Sequence, residues 1–134
     1  MLGLKPFITF NGNCEEALHY YKNTLDGAIP SLMYFEEGPI DVPEEYKKKV
    51  MYAEFNFGDS SFMASDRNPE SPYTEGNNIS LSFGTTDLET TEKWFAGLAK
   101  EGSVLMNLQD TFWGARFGMV ADKYGINWMF NCEM

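Results

Sequence analysis

Along the chain, the spacing of hydrophobic and polar residues changes twice from the alternation typical of strands to the spacing of a helix face, and each time returns to alternation. Two segments carry apolar residues at helical spacing. These residues are Cys14, Ala17, Leu18, Tyr21 and Leu25 in the first segment, and Leu88, Thr91, Phe95 and Leu98 in the second. The pattern predicts two amphipathic helices, each burying one face against other elements.

Both predicted helices carry a start signal. Asn13 precedes Glu16 by three residues, which is the spacing of a capping box. Thr86 and Glu89 repeat this spacing before the second helix. We therefore expect the first helix to begin next to Asn13 and the second next to Thr86.

The remaining apolar runs are rich in β-branched and aromatic residues and are bounded by turn-forming residues, which predicts strands. They span residues 6–11, 28–36, 50–58, 61–65, 78–83, 104–108, 114–120 and 127–131. The order strand, helix, three strands thus occurs twice. We expect an α+β fold, a single domain made of two βαβββ modules, residues 1–70 and 71–134. The modules are expected to form one curved mixed sheet of eight strands with the helices on its outer face.

Two short segments align the modules with each other. Ala53–Phe55 in the first module matches Ala115–Phe117 in the second. Each match is followed by a turn containing glycine and aspartate, and then by an aromatic–methionine pair. These pairs are Phe62-Met63 and Trp128-Met129. The alignment places a glutamate of the first module where the second has an arginine.

The charge of the chain narrows the choice of partners. The 134 residues carry a net charge of −10, from 20 acidic and 10 basic residues. An acidic surface repels nucleic acid and anionic lipid, so neither is an expected partner. No apolar run is long enough to span a membrane and the first residues do not resemble a signal peptide, so we expect a cytoplasmic protein. Cys14 and Cys132 are expected to be free thiols.

Several segments spread over the chain resemble the PhnB-like group of the vicinal oxygen chelate superfamily, which includes glyoxalases, bleomycin-resistance proteins and dioxygenases. They are Phe10–Ala17, Tyr20-Tyr21, Met63–Asp66, Gly76–Leu81, Thr111–Gly118, Asp122–Gly125 and Asn127-Trp128. The resemblance implies a homodimer with a pocket on the concave face of the sheet. Some members are described as methyltransferases. We judge that activity unlikely here, because Gly12 stands alone where a nucleotide-type cofactor usually needs a glycine-rich loop.

The resemblance also implies a divalent metal held by residues of the first and last strands of each module. The corresponding positions lie near Pro6, Met63, Asn78 and Met129, and none of them is histidine or glutamate. A single neutral amide does not hold such a metal. The only histidine, His19, is expected on the solvent side of the first helix. We therefore predict no bound metal and no cofactor.

Alternation along the predicted strands selects the side chains that would line the pocket. The expected ligand-binding residues are Tyr52, Glu54, Asn78, Ser80, Trp113, Arg116 and Met129. Arg116 would bind a carboxylate or phosphonate through two hydrogen bonds. The expected ligand is an anionic or aromatic small molecule. The alternative is that Glu54 and Arg116 pair with each other as a structural contact. No catalytic residue is assigned.

Three functions fit these observations. The first is a metal-free protein that binds a small molecule. The second is a metal-dependent lyase, isomerase or dioxygenase of the superfamily, which the missing ligands oppose. The third is a dimeric interaction module without a ligand. The sequence favours the first and leaves open whether any reaction is catalysed.

Overall fold

The computed structural model describes residues 3–134, and this part of the chain contains eight strands and two α-helices in the predicted order. The first set is β1 (Phe7–Phe10), α1 (Cys14–Thr24), β2 (Ala28–Tyr34), β3 (Val50–Phe57) and β4 (Ser60–Asp66). The second set is β5 (Ser80–Thr85), α2 (Leu88–Ala99), β6 (Ser103–Asp110), β7 (Ala115–Ala121) and β8 (Asn127–Glu133). The two βαβββ modules are therefore present.

The strands form two four-stranded sheets, with orders β1-β4-β3-β2 and β5-β8-β7-β6. In both, the first and last strands of the module pair in parallel, and the other neighbours are antiparallel. The fold class predicted from the sequence is confirmed. The prediction of one hydrogen-bonded sheet of eight strands is wrong, because each module completes a sheet of its own. The chain divides into two compact units, the first ending at Thr74 and the second running from Glu75 to Met134.

Helix α1 packs on the first sheet through the predicted apolar stripe. All five of its residues are buried, with relative exposures of 1% or less. Tyr21, at the centre of the stripe, contacts the rings of Phe55 on β3 and Phe62 on β4 edge-on, at centroid distances of 6.1 Å in both cases. Edge-to-face contacts of this kind add to the gain from burying the rings.

The start of α1 is capped by a residue that is distant in sequence. Asn13 is the N-cap residue but makes no cap hydrogen bond with its side chain. Instead, the buried carboxylate of Asp66, at the end of β4, accepts a hydrogen bond from the backbone N–H of Cys14 at 2.9 Å. The predicted capping box with Glu16 is therefore replaced by a tertiary contact between β4 and the helix.

Helix α2 begins one residue later than the predicted signal. Its N-cap is Asp87, whose carboxylate accepts a hydrogen bond from the backbone N–H of Thr90 at 3.1 Å. Of the predicted stripe, Thr91, Phe95 and Leu98 are buried and Leu88 is half-buried. The buried face also includes Trp94, which packs on Phe83 of β5 at 4.8 Å between ring centroids. No helix among the described residues is long and apolar enough to cross a membrane.

Candidate ligand-binding site

The pairing of β7 with β8 determines which residues of the second sheet face the helix. Trp128, Phe130 and Cys132 of β8 are buried at 1% exposure or less. Residues directly opposite each other on paired strands point to the same face. The corresponding pairs are Val120 with Trp128, Gly118 with Phe130 and Arg116 with Cys132. These β7 residues therefore share the face that packs on α2.

Arg116 lies on this helix side, and the prediction that it faces the pocket is wrong. Its Nη1 contacts the carboxylate of Glu92 on α2 at 3.0 Å, and its Nε contacts Asp110 on β6 at 3.1 Å. The hydrogen bond that Nε donates to Asp110, together with the negative charges of Asp110 and Glu92, raises the pKa of the guanidinium. Arg116 thus takes two carboxylate partners from its own unit.

The prediction rests on the apolar residues Ala115, Phe117 and Met119, which were expected on the helix side, and on an alignment of the two modules that is shifted in the strands. Met63 on β4 lies opposite Glu54, and Met129 on β8 lies opposite Met119. With the two methionines as equivalent positions, Glu54 corresponds to Met119 and not to Arg116, three residues earlier. Because successive side chains of a strand alternate between faces, an odd shift moves the residue to the opposite face.

We use the term open face for the side of each sheet opposite its helix. In the second unit, the open face carries Ser82, Phe117, Met119, Met129 and Asn131, as the strand register requires. Trp113, in the turn between β6 and β7, lies over this face. Its Nε1–H donates to Oδ1 of Asn131 at 3.2 Å, and its ring meets Phe117 edge-on at 5.8 Å. Half of the Trp113 side chain (53%) remains exposed.

A shallow pocket of about 250 Å³ lies where β5 and β8 end. Its lining consists of Gly84, Thr85, Thr86, Asn131 and Glu133. Asn131 belongs to both the pocket and the contact with Trp113, so the indole is tethered to a pocket residue. The pocket therefore offers hydroxyl and amide groups and one carboxylate, and the aromatic surface of Trp113 contacts it through Asn131.

Sequence reasoning included Trp113 among the expected ligand-binding residues and did not include the residues that line the pocket. Alternation along β8 places Asn131 on the same face as Met129, so the sequence alone could have indicated Asn131. Glu133 and Thr85 lie beyond the predicted ends of their strands, because the runs at 78–83 and 127–131 each extend two residues further. The end of a strand is poorly marked where polar residues replace the apolar alternation.

The open face of the first unit holds two predicted residues in contact. The hydroxyl of Tyr52 donates to Oε1 of Glu54 at 2.8 Å, and this hydrogen bond raises the pKa of Tyr52. The ring of Phe7 lies 6.5 Å from that of Tyr52, tilted by 46°. Met63 lies opposite both Phe7 and Glu54 in the sheet. The predicted orientation of Tyr52 and Glu54 agrees with this arrangement.

The three remaining predicted residues lie in the second unit. Met129 is half-buried on the open face, directly opposite Ser82 and Met119. Ser80 is the first residue of β5 and lies opposite Asn127. Asn78 is exposed in the loop that precedes β5. Met129 therefore lies on the same face as Asn131, which lines the pocket, and Asn78 lies outside the strands.

The residues at the superfamily's metal positions do not fit a divalent metal. Of the positions expected for a metal, Met63 lies opposite Phe7 and Met129 lies opposite Ser82, whereas Pro6 and Asn78 lie just outside the strands. Such metals require carboxylate or imidazole ligands. Within residues 3–134, no group of three or more His, Cys, Asp or Glu side chains is placed to hold a metal ion.

The topology defines the class of protein. This chain has two βαβββ modules whose sheets have equivalent strand orders. A glyoxylase/bleomycin resistance protein/dioxygenase domain from Frankia superimposes on it with a TM-score of 0.67. It covers 100% of this chain and 99% of that chain at 14% identity, which is a likeness of fold alone. The fold is that of the glyoxalase/bleomycin-resistance/dioxygenase superfamily.

Sequence comparison identifies the family within this superfamily. The family model described as 3-demethylubiquinone-9 3-methyltransferase matches residues 3–130. Protein YjdN of Escherichia coli is 30% identical over 138 residues, covering 96% of this chain and 93% of YjdN. The chain belongs to this PhnB-like family.

Two solved structures agree with this assignment. Protein PA1353 from Pseudomonas aeruginosa is 39% identical, with a TM-score of 0.89 and coverage of 99% of this chain and 98% of PA1353. The PhnB protein from Bacillus cereus, described as a putative 3-demethylubiquinone-9 3-methyltransferase, is 28% identical with a TM-score of 0.79, over 98% and 99% of the two chains.

Proposed function

We propose that the protein is a metal-free, cytoplasmic, homodimeric binding protein for a small organic molecule, which docks on the open face of the second unit. One observation carries the proposal: the half-exposed indole of Trp113 is tethered to Asn131, a residue of the adjacent pocket. An aromatic surface next to a few directed polar groups is the usual composition of a small-molecule site.

The side chains around Trp113 favour an aromatic ligand that is neutral or donates hydrogen bonds. Arg116, which would have bound an anion, faces α2 and is paired with two carboxylates. The one charged side chain of the pocket is Glu133, which is exposed and accepts hydrogen bonds. A flat apolar ligand would stack on Trp113 and Phe117 while its donors reach Asn131 or Glu133.

A thermal-shift screen of small organic compounds tests the proposal. A ligand at a hundred times its Kd stabilises the native state by about 2.7 kcal/mol, a readily measured rise in Tm. We expect a hit to stabilise the wild-type protein and to lose most of this effect with Trp113→Ala. The matched control is Phe112→Ala in the same turn, which leaves the Trp113–Asn131 hydrogen bond in place. A screen without hits, or hits unaffected by Trp113→Ala, contradicts the proposal.

A dimeric interaction module is the second candidate function, favoured by the exposure of Phe112. Its side chain is 97% exposed and meets Trp113 edge-on at 5.1 Å. An exposed aromatic pair of this kind is typical of a protein contact. Phe112→Ala should then convert the dimer to a monomer in light scattering, and the thermal-shift screen should give no hits.

We propose no methyl transfer, despite the description of the family. Each sheet is mixed, with one parallel and two antiparallel pairs, whereas cofactors with a nucleotide part usually bind in a parallel sheet next to a glycine-rich loop. Calorimetric titration with nickel, zinc or manganese tests the metal-free part of the proposal. Stoichiometric submicromolar binding would support the metal-dependent lyase, isomerase or dioxygenase instead.

A further inference from the structure

The open face of the first unit combines a carboxylate with two aromatic rings and shares no residue with the Trp113 site. Oε1 of Glu54 accepts the hydroxyl of Tyr52, so the carboxylate is held beside the ring. The ring of Phe7 lies at 46° to that of Tyr52, with its side chain 51% exposed. The two rings therefore form two walls at an angle, and Glu54 lies next to one of them.

Glu54 has no cationic partner within the described part of the chain. The ion pairs in this part of the chain involve other carboxylates, among them Glu15, Glu36, Glu44, Glu92, Glu101 and Asp110. The hydroxyl of Tyr52 occupies only one of its two oxygens. Since a carboxylate accepts several hydrogen bonds, Oε2 is available to a donor or a positive charge.

Two thioethers complete the surroundings of this carboxylate. Met33 on β2 lies directly opposite Tyr52, and Met63 on β4 lies directly opposite Glu54. Met33 is 39% exposed and Met63 is half-buried. Both side chains are soft and apolar, so they can contact methyl groups without hydrogen bonding to them.

We propose that this Phe7–Tyr52–Glu54 cluster binds an organic ammonium cation. The faces of aromatic rings attract alkylated ammonium groups. A carboxylate beside the rings adds an electrostatic attraction that acts on a cation and not on a neutral ligand. The net charge of −10 draws cations towards the protein and disfavours anions. The inference gives this site a ligand class opposite in charge to the one predicted from Arg116.

The test compares choline with 3,3-dimethylbutan-1-ol, which has the same shape without the charge. Amide chemical shifts of Tyr52 and Glu54 are followed by NMR during titration. We expect choline to bind at least about tenfold more tightly than the neutral analogue, and added salt to weaken choline alone. Equal affinity for the two compounds, or no shift with choline, overturns the proposal.

Four variants show which side chains cause the effect. Glu54→Gln keeps an acceptor for Tyr52 and should weaken choline about tenfold, since it removes the charge. Tyr52→Leu should weaken it as well, whereas Tyr52→Phe retains the ring and should bind. Glu70→Gln, on an exposed loop residue, removes the same charge elsewhere and should have no effect. Wild-type affinity in Glu54→Gln contradicts the proposal, and none of these outcomes depends on Trp113.

Discussion

At the scale of single residues, Asp66 connects three elements of the first unit. Oδ1 accepts the backbone N–H of Cys14 at the start of α1, and Oδ2 accepts that of Val50 at the start of β3, both at 2.9 Å. The side chain is 3% exposed, so these donors have no access to bulk water. One carboxylate therefore joins the end of β4 to the helix and to the neighbouring strand.

Asp66→Ala should lower the free energy of unfolding by about 2–6 kcal/mol, because it leaves two buried N–H groups without an acceptor. Asp66→Asn should cost less, since the amide oxygen can still accept one of them. Urea denaturation measures both values. Asp41→Ala, on an exposed loop, is the control and should change stability by less than about 0.5 kcal/mol. Equal stability of Asp66→Ala and Asp41→Ala would contradict this account.

Arg116 gives a second prediction at this scale. Because its guanidinium lies on the helix side and is paired with Glu92 and Asp110, Arg116→Ala should leave ligand binding at Trp113 unchanged. The variant should unfold at a slightly lower temperature, as expected for a partly exposed ion pair. Thermal shifts with and without a screening hit measure both effects. Loss of ligand binding in a folded Arg116→Ala protein would contradict this prediction and show that Arg116 contributes to the ligand-binding site.

At the scale of elements, the start of α2 depends on one capping residue. Asp87 accepts hydrogen bonds from the backbone N–H and the hydroxyl of Thr90, and the backbone hydrogen bond contributes most to lowering the pKa of Asp87. The folded pKa is thus below the unfolded one. The stabilisation is complete above the unfolded pKa and is lost as the pH falls through the folded pKa.

The comparison of wild type with Asp87→Asn tests this pH dependence. Asparagine also caps helices but does not titrate in this range. We expect the wild type to have the higher Tm at neutral pH, and the difference to disappear as the pH falls through the lowered folded pKa of Asp87. A Tm difference that stays constant from neutral to acidic pH would show that the charge of Asp87 does not stabilise the helix.

The elements themselves follow from the sequence because their pattern is local. The stripe of α1 was predicted completely, and every strand was found. The caps were harder: Asp66 reaches α1 from 52 residues away, and nothing near Asn13 marks it. The faces of β7 were predicted wrongly because the matching motifs around Glu54 and Arg116 are offset by three residues in the strand register. Register depends on pairing between strands, which the pattern of one strand does not reveal.

At the scale of the whole molecule, each compact unit contains one buried cysteine. Cys14 is the first residue of α1 and Cys132 lies on β8; both are at 0% exposure and both are free thiols. Burial, with smaller contributions from Asp66 and Glu15, raises the pKa of Cys14 far above its usual range. Its thiol should therefore stay protonated and unreactive until the first unit opens.

Single-cysteine variants report how the two units unfold. Cys132→Ala leaves Cys14 as the reporter, and Cys14→Ala leaves Cys132. Since we propose a single cooperative domain, both thiols should begin to react with a thiol reagent over the same range of urea concentration. Reaction of one thiol at clearly lower urea would instead show that the units unfold independently.

The central claim is that a small organic molecule binds beside Trp113, and NMR of the indole N–H groups tests it most directly. The chain has three tryptophans; Trp94 and Trp128 are buried at 6% and 1% exposure, and Trp113 is half-exposed. Titration with a hit from the thermal-shift screen should move one indole signal strongly, and this signal should be absent from Trp113→Phe. The claim is contradicted if the signal of Trp113 stays in place while the hit raises the melting temperature.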